Sequence, residues 1–443
     1  MDADPRDQLI QTLQAENQRL RELVQQLQQR IEELERAAHR SAAPFRRKDQ
    51  DRKPPDQHKP PGRPAGHPPA FRSPPLDIDD HVEVELNGCP NCGAAVHDLR
   101  RCEQIIEEIP VVRPHITQLI TYVGTCAHCG EVRSRHPMQV SEATGAAKVH
   151  LGARAMALAA WLSKRLGLTA RATCRVLEHL AGLHLSPGGL VQALHRMADK
   201  TAGPYELLRQ DLRGENVNAD ETGWWVGGPG FWLWVFTSPR TTLYRVENTR
   251  GRDVVLDVLG EDFPGVLTSD CLASYENLPY RMHKCYAHHL KAIAEALEQK
   301  ASAYLDELKY LLKAALALGG LRGDLSPPEW ADRRRHLDAR ADKLLDLPRQ
   351  DGLEERVRLR LKKRRRWLFT FLDYPGVEAT NNRAERDLRP AVIARKLSCG
   401  NKTLRGKRTW EVLASLAATC HLRHLDFTEY LRPYLTLAPV PGR

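Results

Sequence analysis

Asn216-Val-Asn-Ala-Asp-Glu-Thr-Gly-Trp-Trp-Val-Gly-Gly-Pro-Gly-Phe-Trp-Leu-Trp-Val-Phe-Thr237 is the stretch that decides the fold. Asn216 to Val226 and Phe231 to Thr237 carry the β-branched and aromatic residues of strands, and Gly227-Gly-Pro-Gly230 makes the turn between them. Ser-Pro-Arg then leads into Thr241-Thr-Leu-Tyr-Arg-Val246, so a three-strand antiparallel meander is predicted. A helix is expected from about Arg250 to Leu259. A short strand, Gly265-Val-Leu-Thr-Ser269, follows and ends at Asp270.

The order β-β-β-α-β places Asp220 on the first strand and Asp270 after the fourth. That is the order a ribonuclease-H-like α/β core requires, because its first and fourth strands lie side by side and make neighbours of distant residues. A third acid would come from a later helix, as Glu385 does in Asn381-Asn-Arg-Ala-Glu-Arg-Asp-Leu-Arg-Pro390. Asn381 or Thr380 can cap that helix, and Pro390 is expected to end or kink it. Converging carboxylates can hold two hard divalent cations through oxygen. Each acid also has a plainer reading. Asp220 beside Glu221 fits a solvated turn, or Glu221 is itself the ligand; Asp270 fits a helix N-cap; Glu385 between Arg383 and Arg386 fits a surface ion pair.

With 443 residues the chain is too long for one core, so two or more domains are expected. Lys and Arg outnumber Asp and Glu by 66 to 56, a basic balance that suits a phosphate backbone when the charges cluster. Met1 leads into polar residues rather than an apolar export signal. No apolar run is long enough to span a membrane. The expected location is therefore the cytoplasm. Ten cysteines, four of them in an ordered tetrad, favour metal binding over disulfides.

The chain divides into a multidomain α+β series. In the 1–40 segment, Ile10, Asn17, Val24 and Ile31 occupy a positions and Leu13, Leu20, Leu27 and Leu34 occupy d positions of a coiled coil, which predicts a homodimer or higher oligomer. An amphipathic helix docked on its own protein is the alternative. Residues 41–78 form a basic, Pro-rich linker with Arg46, Arg47, Lys48, Arg52, Lys53, Lys59 and Arg63. Within it Gly62-Arg63-Pro64 is similar to the minor-groove core of an AT-hook. Residues 79–137 read as a zinc ribbon: Cys89-Pro-Asn-Cys92 and Cys126-Ala-His-Cys129 supply four thiolates for a closed structural Zn²⁺ site, and Gln104 to Val123 reads as a hairpin between them. Free reduced thiols are the alternative.

Residues 141–212 read as a helical, DNA-binding region. A Thr-capped helix, the turn Gly182-Leu-His-Leu-Ser-Pro, and a second helix from about Pro187 to Lys200 have helix-turn-helix spacing, which generic helical packing also produces. Residues 213–282 and 376–400 make the catalytic core, 283–375 a helical insertion, and 401–443 the C-terminal helices. Within the insertion, Arg358 to Arg366 is a basic run suited to clamping phosphates or to a solvated face, and Cys285 with His288 fits a core pair or a second metal pair.

Taken together the chain resembles a transposase of the insertion-sequence 66 family, of DDE type. The resemblance rests on Asp220-Glu-Thr, Ser269-Asp270 with Tyr275, Cys285-x-x-His288, and Asn381-Asn-Arg-Ala-Glu-Arg-Asp-Leu-Arg-Pro390 followed by Arg395-Lys-Leu-Ser. It implies Asp220, Asp270 and Glu385 as ligands of catalytic Mg²⁺ or Mn²⁺. It also implies double-stranded DNA as substrate, accessory proteins of the same element as partners, and no membrane. Arg63, Arg364, Arg365, Arg366, Asn382, Arg386, Arg389, Arg395 and Lys396 are the DNA-contact candidates. Cys271 departs from the family's usual Gly after the second Asp. Two other functions compete: an inactive relic that binds DNA by sequence, and a ribonuclease-H-like nuclease without strand transfer.

Overall fold

The computed structural model describes residues 16–20, 22–24, 26–27, 71–141 and 149–437. The chain splits into two units, Met1–Val112 and Arg113–Arg443. In the first, the described residues between 16 and 27 are helical, and Leu20, Val24 and Leu27 of the expected seam are exposed. Ile10, Leu13, Ile31 and Leu34 lie outside the described residues, as does the basic stretch 41–70 with Arg63. Cys89 and Cys92 sit on a tight turn. Gly93 N–H bonds to the Cys89 carbonyl at 2.8 Å, with Gly93 at φ +76° where a side chain would be strained.

The second unit begins with a hairpin, β1 (Val123–Cys126) and β2 (Gly130–Arg133), whose turn carries Cys126 and Cys129. This corrects the expectation of a hairpin over Gln104 to Val123. Those residues form no strand before Val123, and Ile106, Ile109 and Ile116 are exposed. Strand-like composition yields a strand only where a partner edge exists to pair with.

Four helices follow: α1 (Ala153–Lys164), α2 (Ala170–Ala181), α3 (Pro187–Lys200) and α4 (Ala202–Arg213). The Thr169 hydroxyl caps α2 by accepting from Ala172 N–H, Gly182 ends it at φ +62°, and the Ser186 hydroxyl caps α3. The expected helix-turn-helix spacing is present. α3 turns Leu190, Leu194 and Met197 into the core and leaves Gln192 and Arg196 exposed.

The central sheet has the order β5-β4-β3-β6-β7, from β3 (Val217–Trp224), β4 (Phe231–Thr237), β5 (Thr242–Glu247), β6 (Val266–Ser269) and β7 (Arg281–Lys284). β3, β4 and β5 form the antiparallel meander, while β6 and β7 run parallel to β3. The first and fourth strands of this sheet thus lie side by side, as the sequence order required. Strand alternation gives the sheet two apolar faces. Val217, Ala219, Trp234 and Phe236 pack with α5 (Asp253–Leu259) and the helices of residues 153–213. Leu233, Val235, Tyr244 and Val246 pack against two later helices.

Between β7 and the third acid, five helices form their own core: α6 (Tyr286–Gln299), α7 (Ala303–Gly320), α8 (Pro327–Asp346), α9 (Gly352–Lys362) and α10 (Thr370–Asp373). Then α11 (Asn382–Ser398) crosses the sheet, and α12 (Leu404–Leu422) and α13 (Phe427–Leu435) complete the fold. α11 runs through Pro390 to Ser398, so Pro390 does not end the helix as expected. Its buried residues Ala384, Leu388 and Ala391 hold it on the sheet from both sides of the proline.

α12 is buried on all sides from Thr409 to Cys420. It also closes the outer edge of β5, whose Val246, Tyr244 and Thr242 N–H groups donate to Glu411 Oε1 (2.6 Å), Ser415 Oγ (2.8 Å) and Thr419 Oγ1 (3.1 Å). Four helical residues rise about 6 Å and two strand residues about 6.7 Å, so one helix face keeps step with every second strand amide. An open edge is thereby satisfied by side chains. Ser415→Ala leaves the buried Tyr244 amide unpaired and is expected to cost about 1–3 kcal/mol in urea unfolding. The exposed Ser398→Ala is the control, with a change under about 0.5 kcal/mol; equal midpoints for the two variants would remove edge closure from the account.

Candidate active site

Asn218 on β3 is in register with Thr268 on β6, and each acid stands two residues further along its strand. Asp220 and Asp270 are thus level at the carboxyl end of a parallel pair, where open α/β sheets place their ligand crevices. On β3, Asp220 shares the face of Asn218 and Thr222, which is the face α11 covers. Glu221 points to the other face. There its buried carboxylate accepts from Arg250 Nη2 (2.5 Å) and from the buried Tyr275 hydroxyl (2.6 Å). The pleat therefore separates the two adjacent acids, and Glu221 is occupied within the core.

Asn381 brings α11 to this place. Its Nδ2 donates to the Ala219 carbonyl (2.8 Å), its Oδ1 accepts from Asn218 Nδ2 (3.2 Å), and its backbone N–H points to Cys285 Sγ (3.1 Å). The side chain expected to cap the helix instead ties it to β3. Further along, the Asp387 carboxylate accepts from Thr237 (2.6 Å) and Thr242 (2.8 Å), and its carbonyl accepts from the Tyr244 hydroxyl (2.5 Å). Arg395 bonds Thr222 Oγ1 and the Gly223 carbonyl. Glu385 is held between these anchors on the exposed side of α11.

The charges of Asp270 and Glu385 both reach Asp220. Burial first, then the neighbouring charge of Glu221, push the Asp220 carboxyl up to about 7, with Asp270 and Glu385 adding to the push and a Glu221 N–H opposing it. Such crowding of negative charge, with no cation among the described side chains paired to Asp220, fits a site for divalent metal. Asp270 Oδ1 accepts from Leu272 N–H at 2.9 Å, which leaves its other oxygen for a ligand.

Lys284 was not foreseen. It is fully buried on β7 and donates to Ser269 Oγ (2.9 Å), and its Nζ lies 5.4 Å and 5.5 Å from the Tyr275 and Trp367 rings. Burial brings it down to about 8, against the pull of Cys271, Asp270 and Glu276. The only trace in the sequence is its position just before Cys285. The half-buried Cys271 thiol is pushed up by burial, and the carbonyl of that residue accepts from Arg364 (3.2 Å).

The DNA-contact candidates divide. Asn382, Arg386, Arg389 and Lys396 share the exposed stripe of α11 with Glu385, as their spacing along a helix requires. Arg395 is turned to the sheet. Arg366 is exposed, its guanidinium 4.1 Å from the Trp367 ring centroid. Arg364 is buried and paired with Glu276, and Arg365 pairs with Asp338 and Asp342, each at 2.7 Å. Acids from distant segments take up Lys363, Arg364 and Arg365 of the basic run, and Arg358 is buried against Glu355 on its own helix.

Residues 148–409 match the family described as Transposase IS66 family. The chain belongs to this transposase family. It is also 28% identical over 268 residues to the uncharacterized protein y4qI of Sinorhizobium fredii, a match covering 52% of this chain and 49% of that protein. The chain therefore spans about half the length of that curated relative. For a family transposase, the matched region includes all three acids, the insertion and Asn381. Among the described residues no helix is long and apolar enough to cross a membrane.

The raised Asp220 carboxyl has a consequence in metal-free transposase. Its folded value lies above the unfolded one, so its contribution is full below about pH 4 and is lost as pH rises towards 7. Asp220→Asn is expected to raise the melting temperature of metal-free protein, more at pH 8 than at pH 5. A variant that melts below wild type at pH 8 contradicts the crowding.

Proposed function

We propose that this transposase binds the terminal inverted repeats of an insertion sequence, cuts DNA there, and joins the freed 3′-OH to a target. The observation that supports the reading is the parallel register of β3 and β6, which sets Asp220 level with Asp270, together with the Glu385 charge felt at Asp220. The strand order supports a ribonuclease-H-like core, and the family supports DNA as substrate.

Asp220, Asp270 and Glu385 would hold Mg²⁺ or Mn²⁺. Bound there, such ions activate water or a 3′-OH for attack on phosphorus and stabilise the leaving oxygen. The chain's own residues have distinct parts. Asp220, whose carboxyl burial and neighbouring acids push up to about 7, would be held ionised by a cation bound beside it. Asn381 and Asp387 fix α11, and so the reach of Glu385. Arg386, Arg389 and Lys396, on the stripe that carries Glu385, meet the phosphates on either side of the bond to be cut. Arg366 extends this surface from the insertion, while Arg364 ties the insertion to Glu276 and Cys271 of the core and Arg365 braces the insertion itself.

Each Cys turn, taken by itself, presents a thiol pair of the kind a structural Zn²⁺ site uses. In each, backbone N–H groups aim at the first sulfur and hold its thiol below the usual range, from Asn91 and Cys92 for Cys89 and from His128 and Cys129 for Cys126. The exposed Leu20, Val24 and Leu27 suit a coiled-coil dimer. Action at the bacterial nucleoid, with accessory proteins of the same element, completes the reading.

Asp270→Asn is expected to abolish cleavage and strand transfer on a labelled terminal-repeat substrate, while its binding in gel shift stays within about twofold of wild type. Undiminished strand transfer by this variant removes Asp270 from the site. Loss of binding along with cleavage would assign it to the fold.

A further inference from the structure

Cys285 is the N-cap of α6 and His288 lies on its first turn, and both face Glu385 on α11. One donor atom from each of the three residues lies within 4.8 Å of the other two. Nothing in the reaction proposed above uses the sulfur or the imidazole.

Two features set this trio apart from a chance meeting of polar side chains. Cys285 Sγ is buried and receives backbone N–H groups from Asn381 at 3.1 Å and from Ala287 and His288 at the start of α6. N–H groups converging on sulfur are how a thiolate is held when it binds metal. His288 Nδ1 is buried and has no hydrogen-bond partner among the described residues, although buried ring nitrogens ordinarily have one. A sulfur, an imidazole nitrogen and a carboxylate oxygen are also a donor set that suits Zn²⁺ and fits Mg²⁺ poorly. Ligands about 2.0–2.3 Å from a shared tetrahedral ion stand roughly 3.3–3.8 Å from one another. The trio therefore needs only a small closure, and Glu385, on an exposed helix face, can supply it.

We propose that Cys285, His288 and Glu385 form a second metal site, for a thiophilic divalent cation of the Zn²⁺ type, with water in the fourth position. Binding there draws the Glu385 carboxylate away from Asp220 and Asp270. Zinc and the hard cation of the acid cluster then compete for one side chain, and zinc inhibits the enzyme. The site itself stands on its own donors; the inhibition rests on the cleavage reading.

The test is equilibrium dialysis of the full chain against buffered Zn²⁺, with elemental counting of bound metal. Cys285→Ser, His288→Gln and Glu385→Gln are each expected to bind one Zn²⁺ fewer per chain than wild type. Zinc held elsewhere on the chain is common to all four proteins and cancels. Equal counts in wild type and variants at every free-zinc level overturn the site. Circular dichroism checks each fold; should buried Cys285→Ser misfold, half-buried His288→Gln decides alone. In the Mg²⁺-dependent cleavage assay, zinc that inhibits wild type is expected to inhibit His288→Gln at least about tenfold more weakly. Equal inhibition overturns the competition. A chain that cleaves nothing, yet shows the one-equivalent difference, retains the zinc site and loses only the cleavage reading.

Discussion

The amide of Asn381 is the junction on which the site depends. One side chain spans the Ala219 carbonyl and the Asn218 amide of the central strand, while its backbone N–H reaches the sulfur of Cys285. Strand β3, the start of the helical insertion and helix α11 are thereby fixed to one another within a few ångströms. All of these groups are buried, so removing one partner strands the others without water to replace it. The acids on β3 and β6 come from a parallel pair and need no such device. Glu385 comes from 115 residues beyond Asp270, and its charge reaches Asp220 because Asn381 and Asp387 anchor its helix to the sheet.

That arrangement concentrates negative charge where the fold can least shield it. Asp220 is largely buried among three other carboxylates, of which only Glu221 has a cation bonded to it. The surrounding cations are arranged at a remove: Lys284 sits behind Ser269, and the Arg386, Arg389 and Lys396 stripe lies on the solvent side. On the proposed reading, a divalent cation bound here would offset that crowding and stabilise the fold. The basic stripe adds attraction for a polyanion in the same place.

Much of the core was legible because strand patterning is local. The aromatic and β-branched run of Phe231 to Thr237 and the Gly-rich turn before it were sufficient for the meander, and the caps Thr169 and Ser186 for two helices. What failed to show was set by distant partners. Gln104 to Tyr122 has strand composition but no edge to join. Arg364 and Arg365 read as a phosphate clamp until Glu276, Asp338 and Asp342 arrive from elsewhere in the chain. The choice between Asp220 and Glu221 turns on the parity of one pleat, which the sequence leaves open. Asn381 was visible as a helix cap; its role as a bridge required both Asn218 and Cys285. Glu411, Ser415 and Thr419 recur every four residues, yet their use in closing β5 became evident only with that strand beside them.

The central claim is that Asp220, Asp270 and Glu385 act as one cation site. Manganese binding to the full-length chain, read from the loss of the free Mn²⁺ electron paramagnetic resonance signal, tests it most directly, since Mn²⁺ prefers oxygen and leaves the cysteines aside. The account predicts that Asp220→Asn, Asp270→Asn and Glu385→Gln each weaken binding on the order of tenfold or more. Wild-type affinity in Glu385→Gln, with binding lost in the two aspartate variants, would show that α11 does not complete the site and would contradict the account.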